Sequence, residues 1–160
     1  LNNLPLRMNK LLFLIVMSPI FLIAQDPMPV KNNNTIIVKG VEFAKVKEVL
    51  LDAGFFLDQQ SAEDGTIITK RKGFCECPNK EFYQLVYYIR VKDSIVTIKG
   101  KFSQAAQVKL FNDHPNTDDK DDFSDVFYWK SKNTSYNYLF GIMMGFAKSL
   151  NGSGIEYKTQ

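Results

Sequence analysis

Apolar residues recur along the chain with two different periods, and each period marks a kind of element. In VEFAKVKEVLLDAG (Val41–Gly54) the residues Phe43, Val46, Leu50 and Ala53 return every three or four positions, with Lys45, Glu48 and Asp52 turned away. That spacing predicts an amphipathic helix stopped by Gly54. A second helix is predicted over about Ser135–Leu150, opened by Asn133, Thr134 and Ser135 and closed by Asn151-Gly152. Strand-like stretches follow a shorter period. TIIVKG (Thr35–Gly40) is β-branched and ends in glycine, while FFLDQQ (Phe55–Gln60) and TIITKRK (Thr66–Lys72) flank SAEDG. Its Asp64-Gly65 pair supplies the positive φ that a hairpin requires.

The longest alternation lies in FYQLVYYIRV and SIVTIKGKF, either side of Lys92 and Asp93. With those two residues as the turn, Ile89 pairs with Val96, Tyr87 with Ile98, Leu85 with Gly100 and Tyr83 with Phe102. Arg90, Tyr88, Gln84, Thr97, Lys99 and Lys101 then take the other side. One face is buried and the other mostly wet. The expected fold is α+β: one antiparallel sheet of four to five strands with two helices packed on one face, in the order β-α-β-β-β-β-α. Gln25–Asn34 (QDPMPVKNNN) reads as a flexible tether and Asn112–Asp125 as a polar, acidic loop. The tail SGIEYKTQ is expected to add a short strand or to fray.

With 160 residues, 45% of them hydrophobic, residues 35–160 suit a single domain. The formal charge of +3 owes much to the start of the chain. Arg7 and Lys10 precede the apolar run Leu11–Ala24 (LLFLIVMSPIFLIA), the layout of a secretory signal peptide and shorter than the ~20 residues of a spanning helix. Residues 1–24 are read as that signal, with residues 1–7 an extension ahead of a leader starting at Met8. Without Arg7 and Lys10 the 20 basic residues become 18 against 17 acidic ones. Nucleic-acid binding needs clustered cations and is not expected. The mature chain is expected to be exported, periplasmic or extracellular, without a transmembrane span.

The order of elements, with EDGTIITK (Glu63–Lys70) ahead of the hairpin VYYIRVKDSIVTIKGKF within Leu85–Phe102, resembles a family of exported bacterial domains of unknown function with a TATA-box-binding-protein-like fold. The resemblance covers roughly half of the mature chain and implies an antiparallel sheet with helices on one face. It carries over no catalytic residues. The acidic loop and GFCECPN depart from the family pattern.

Reactive groups are few. Cys75 and Cys77, in GFCECPN, are the only cysteines and lie one residue apart. On an extended strand they would share a face roughly 6.6 Å apart, so a disulfide between them requires a bend, which Pro78 and Asn79 could supply. Such a local bond or a plain hairpin-tip pair outweighs a redox role, whose usual spacing has two intervening residues. Zinc prefers four ligands, and beside this one cysteine pair the chain offers a single histidine, His114, in a polar loop. Asp118, Asp119, Asp121, Asp122 and Asp125 miss the EF-hand pattern, since a register from Asp119 puts Phe123 and Lys130 at ligand positions. A solvated charge run is the plainer reading. No catalytic residue, cofactor or metal is expected.

The second helix is apolar on more than one side. Leu139, Ile142, Met143, Phe146 and Leu150 form one stripe, and Tyr136, Phe140 and Met144 widen it. Either VFYWK or the tail folds over the surplus, or a partner covers it. Phe127, Trp129, Phe140 and Met144 are the candidate contact residues, because aromatics and Met contribute disproportionately at interfaces. The expected function is a non-catalytic binding module docking a protein partner or apolar ligand, with self-association open. The rivals are a thiol-disulfide oxidoreductase using Cys75 and Cys77, and an inhibitor of a secreted enzyme.

Overall fold

The computed structural model describes residues 27–76, 81–105, 123–129 and 134–160. The segment 1–24 read as a leader, Cys77, His114 and four of the five aspartates of the acidic run (all but Asp125) lie outside the described residues. In chain order the elements are β1 (Thr35–Lys39), α1 (Phe43–Asp52), β2 (Leu57–Ser61), β3 (Thr66–Thr69), β4 (Lys72–Glu76), β5 (Glu81–Lys92), β6 (Ile95–Ala105), β7 (Ser124–Asp125), α2 (Ser135–Ser149) and β8 (Gly154–Lys158). One sheet runs β2-β3-β5-β6-β1-β8, with β4 paired to β5 and β7 to β6. Every pairing among the described residues is antiparallel.

Among the described residues the sheet has eight strands, not four or five. Three of them lack a clear periodic signal, for physical reasons. β4 continues the line of β3 along β5 after a break at Lys70 and Arg71, β7 is only two residues long, and β8 is the tail. β8 completes β1, which is paired on both edges and buried from Thr35 to Val38. The segment read as a tether is fixed over its last residues: Asn32 N–H donates to Tyr128 O at 2.9 Å and Tyr128 N–H to Asn33 O at 2.7 Å.

The β5–β6 hairpin keeps the expected faces but not the expected turn. Ile89 pairs with Ile98, Tyr87 with Gly100 and Leu85 with Phe102. A shift of two residues along one strand preserves which side each side chain takes. The turn residues are Asp93 and Ser94, at φ of 52° and 56°. The β1–α1 connection holds them there: Gly40 and Val41 N–H donate to Ser94 O at 2.8 and 3.1 Å, and Ser94 Oγ donates to Glu42 Oε1 at 2.6 Å.

Between β3 and β4 the register against β5 slips by one residue, from Ile68 opposite Tyr88 to Lys72 opposite Leu85. This bulge re-aims the strand, so Phe74 faces the helices beside Phe55, with ring centroids 5.9 Å apart. Thr69 Oγ1 accepts the Tyr87 N–H at 2.9 Å, giving a buried backbone donor a partner at the break.

Both helices bury their apolar sides in one cluster against one face of the sheet. Val46, Val49 and Leu50 of α1 and Leu139, Phe140, Met143, Phe146 and Ala147 of α2 meet Ile36, Val38, Leu85, Tyr87, Ile98 and Phe102. Full burial of such a side chain contributes about 1.5–3 kcal/mol. Ala53, expected on the inner face of α1, is exposed because the helix ends one residue earlier, at Asp52.

Tyr87 carries a hydroxyl into this core. Its ring sits 4.6 Å from that of Phe55 and 5.3 Å from that of Phe146, and its buried hydroxyl has no hydrogen-bond partner among the described residues. Burial pushes the phenol well above its ordinary pKa. An unsatisfied buried hydroxyl costs about 1–3 kcal/mol, so Tyr87→Phe should raise stability by about 1 kcal/mol at neutral pH. Above about pH 10 an unfolded chain releases the phenolic proton and the folded one does not, so rising pH favours unfolding. The phenylalanine variant should lose that part of the alkaline decline. Urea melts at pH 7 and pH 10.5 measure both effects, and a destabilised variant at pH 7 would show that the hydroxyl is satisfied.

Candidate functional site

After β6 pairs with β7, residues 126–129 run extended. Val126 N–H donates to Gly100 O at 2.9 Å, and the alternation of an extended chain sends successive side chains opposite ways. Val126 is fully buried and the Tyr128 ring packs on Phe140, while Phe127 and Trp129 take the other side. The first turn of α2 fixes this segment: Trp129 N–H donates to Asn137 Oδ1 at 2.7 Å. Thr134 caps the same turn by accepting the Asn137 N–H at 3.4 Å.

Tyr136 stacks on Phe127 with centroids 4.2 Å apart, and Trp129 meets Phe127 edge-on at 5.8 Å. Behind them Phe102 meets Tyr136 edge-on at 5.2 Å, joining this cluster to the core. The three outer rings are half-buried. They line an open cleft of about 460 Å³ together with Asn32, Asn34, Ser124, Asp125 and Thr159. Lys31 Nζ lies 4.3 Å from the centre of the Trp129 ring, within cation–π range. Amides, hydroxyls and one carboxylate therefore surround an aromatic wall. Such a cleft can take an apolar group and orient it by hydrogen bonds.

Of the four candidate contact residues, the structure brings Phe127 and Trp129 together here and separates the other two. Phe140 is fully buried, with Tyr128 at 5.7 Å and Tyr157 at 6.1 Å between ring centroids, so it is a core residue and not a contact residue. Tyr128 and Tyr157 fold over Phe140 on the surplus apolar face of α2, and the partner argument built on Phe140 falls. Met144 is half-buried against the core and does not line the cleft. Tyr136 was visible only as excess apolar surface, while Asn32, Asn34 and Thr159 carried no sequence signal, because segments far apart in sequence meet here through tertiary pairing.

Cys75 is half-buried on β4 opposite Phe82, close to the hairpin tip, and its backbone oxygen accepts the Tyr138 hydroxyl at 3.1 Å. Cys77 lies outside the described residues, as does His114. Asp125 faces Lys101 at 4.0 Å. Among the described residues no group of three or more His, Cys, Asp and Glu side chains is arranged to hold a metal, and no helix is long and apolar enough to cross a membrane.

Compared with known proteins, the chain matches no family model and no curated protein.

Proposed function

We propose that the protein is a non-catalytic, exported binding module that docks a protein partner in the cleft of Phe127, Trp129 and Tyr136. The observation that carries this reading is the half-buried cluster of three rings lined with Asn32, Asn34, Ser124 and Thr159. An apolar centre within polar surroundings is the anatomy of a recognition patch, and Trp and Tyr are over-represented among its strongest contributors. Export rests on the leader-like run Leu11–Ala24 and on the resemblance of Leu85–Phe102 to exported domains with a TATA-box-binding-protein-like fold.

Trp129 is the single tryptophan, so its emission reports on this cleft alone. The wild-type mature protein, immobilised, should retain a partner from envelope extract that the Trp129→Ala and Phe127→Asp variants lose. Adding that purified partner should shift Trp129 emission to the blue, and each substitution should weaken binding by about tenfold or more. Equal retention by wild type and both variants, or an emission spectrum the partner leaves unmoved, would sink the assignment. A lipid or other small apolar molecule recovered in place of a protein would sink the partner class while keeping the cleft.

A further inference from the structure

The side of the sheet away from the helices carries a second depression, independent of the aromatic cleft. Cross-strand pairing sets its floor in two rows, Ile68–Tyr88–Lys99 and Thr66–Arg90–Thr97, across β3, β5 and β6. These side chains line a hollow of about 440 Å³, within the ~300–1,000 Å³ usual for small-ligand pockets. Three strands and two rows make a footprint of about 10 Å by 7 Å.

Charge on this face is unevenly compensated. Lys39 and Lys158 both face Glu156, and Lys101 faces Asp125. Arg90 and Lys99 are exposed and have no acidic partner among the described residues. They sit diagonally across β5 and β6, so their Cβ atoms lie ~7–8 Å apart and both side chains can reach one anion. Tyr88, 40% exposed, neighbours both of them, opposite Lys99 and two residues before Arg90; Lys101 Nζ stands 5.7 Å from its ring centre, and Ile68 lies alongside. The hydroxyls of Thr66 and Thr97 add two neutral donors at the same level.

We propose that this depression binds a small aromatic oxyacid, its anionic group held between Arg90 and Lys99 and its ring laid on Tyr88 and Ile68. Charge selects an anion, and Arg forks around a carboxylate or phosphate with two parallel hydrogen bonds. The footprint suits one ring with an acid group and is too short for a strand of nucleic acid or an extended peptide.

The test is an NMR titration of the mature protein at low salt with phenylacetate and phenyl phosphate, which separates a carboxylate from a phosphate headgroup, and with benzyl alcohol as neutral control. The expected result is saturable shifts at Tyr88, Arg90 and Lys99 with at least one of the acids, none with the alcohol, and binding weakened about tenfold or more in Arg90→Gln or Lys99→Gln. Arg90→Lys should retain part of the affinity, and raised salt should weaken it. Both side chains are exposed, so the variants should keep the wild-type melting temperature. No saturation with either acid, equal binding of the alcohol, or unchanged affinity in both glutamine variants would overturn the proposal. None of these outcomes bears on Trp129 emission, so this site and the aromatic cleft stand or fall separately.

Discussion

Phe140→Ala is expected to lower the free energy of unfolding by about 3–5 kcal/mol, the range for deleting a buried phenylalanine. The ring is fully enclosed between α2 and the rings of Tyr128 and Tyr157. Those neighbours come from the segment after β7 and from β8, two pieces of chain anchored by their own backbone pairing. They cannot collapse freely into the space a methyl group leaves, so most of the cavity penalty should persist. Met144→Ala serves as the internal control, because Met144 is only half-buried and should cost much less. The comparison separates two roles that the sequence alone leaves confounded. A contact residue truncated to alanine spares the fold and loses a partner, whereas a core residue does the reverse. Urea unfolding that shows Phe140→Ala losing under about 1 kcal/mol would return this ring to the surface.

The same residue shows why part of the molecule was legible and part was not. Periodicity in Phe43–Leu50 and across the β5–β6 hairpin is a local property, enforced by one face being buried, and the elements follow it closely. Helix α2 starts at Ser135 with Thr134 as its cap, because capping chemistry is also local. What covers a helix is not local. Tyr128 and Tyr157 reach Phe140 from either side of α2 in sequence, and nothing in the spacing of α2 announces them. The turn falls at Asp93 and Ser94, one residue beyond its expected place, for a similar reason. A serine at φ 56° is held by hydrogen bonds from Gly40, Val41 and to Glu42, more than 50 positions away. The bulge after Thr69 hid β4, since one inserted residue reverses the alternation that marks a strand. The aromatic cleft was half-visible: Phe127 and Trp129 stood out as rings, but their polar surroundings are assembled from Asn32, Asn34 and Thr159, far apart in sequence.

Gly100→Val is expected to destabilise the fold by about 3 kcal/mol, at the upper end of the usual cost of overpacking. Propensity alone predicts the opposite sign, since glycine weakens a strand interior and valine favours it. Space decides. Gly100 faces the helices in mid-β6, opposite Tyr87, and a Cβ there would stand 2.6 Å from Met143 Sδ, 3.1 Å from Val126 Cγ2 and 3.3 Å from Leu85 Cδ1. All three neighbours are fully buried, so none can swing into solvent to make room. The backbone cannot retreat either, because Gly100 O accepts the Val126 N–H that holds the segment carrying Phe127 and Trp129. The strain should therefore reach the aromatic cleft, and Trp129 emission should shift along with the melting temperature. Trimming the obstacle tests the cause directly. Met143→Ala alone should cost about 2–5 kcal/mol, yet Gly100→Val combined with Met143→Ala should cost less than the two separate losses together, by 0.5 kcal/mol or more on the order of a contact pair. Additive losses would mean that Gly100 is required by something other than the approach of α2.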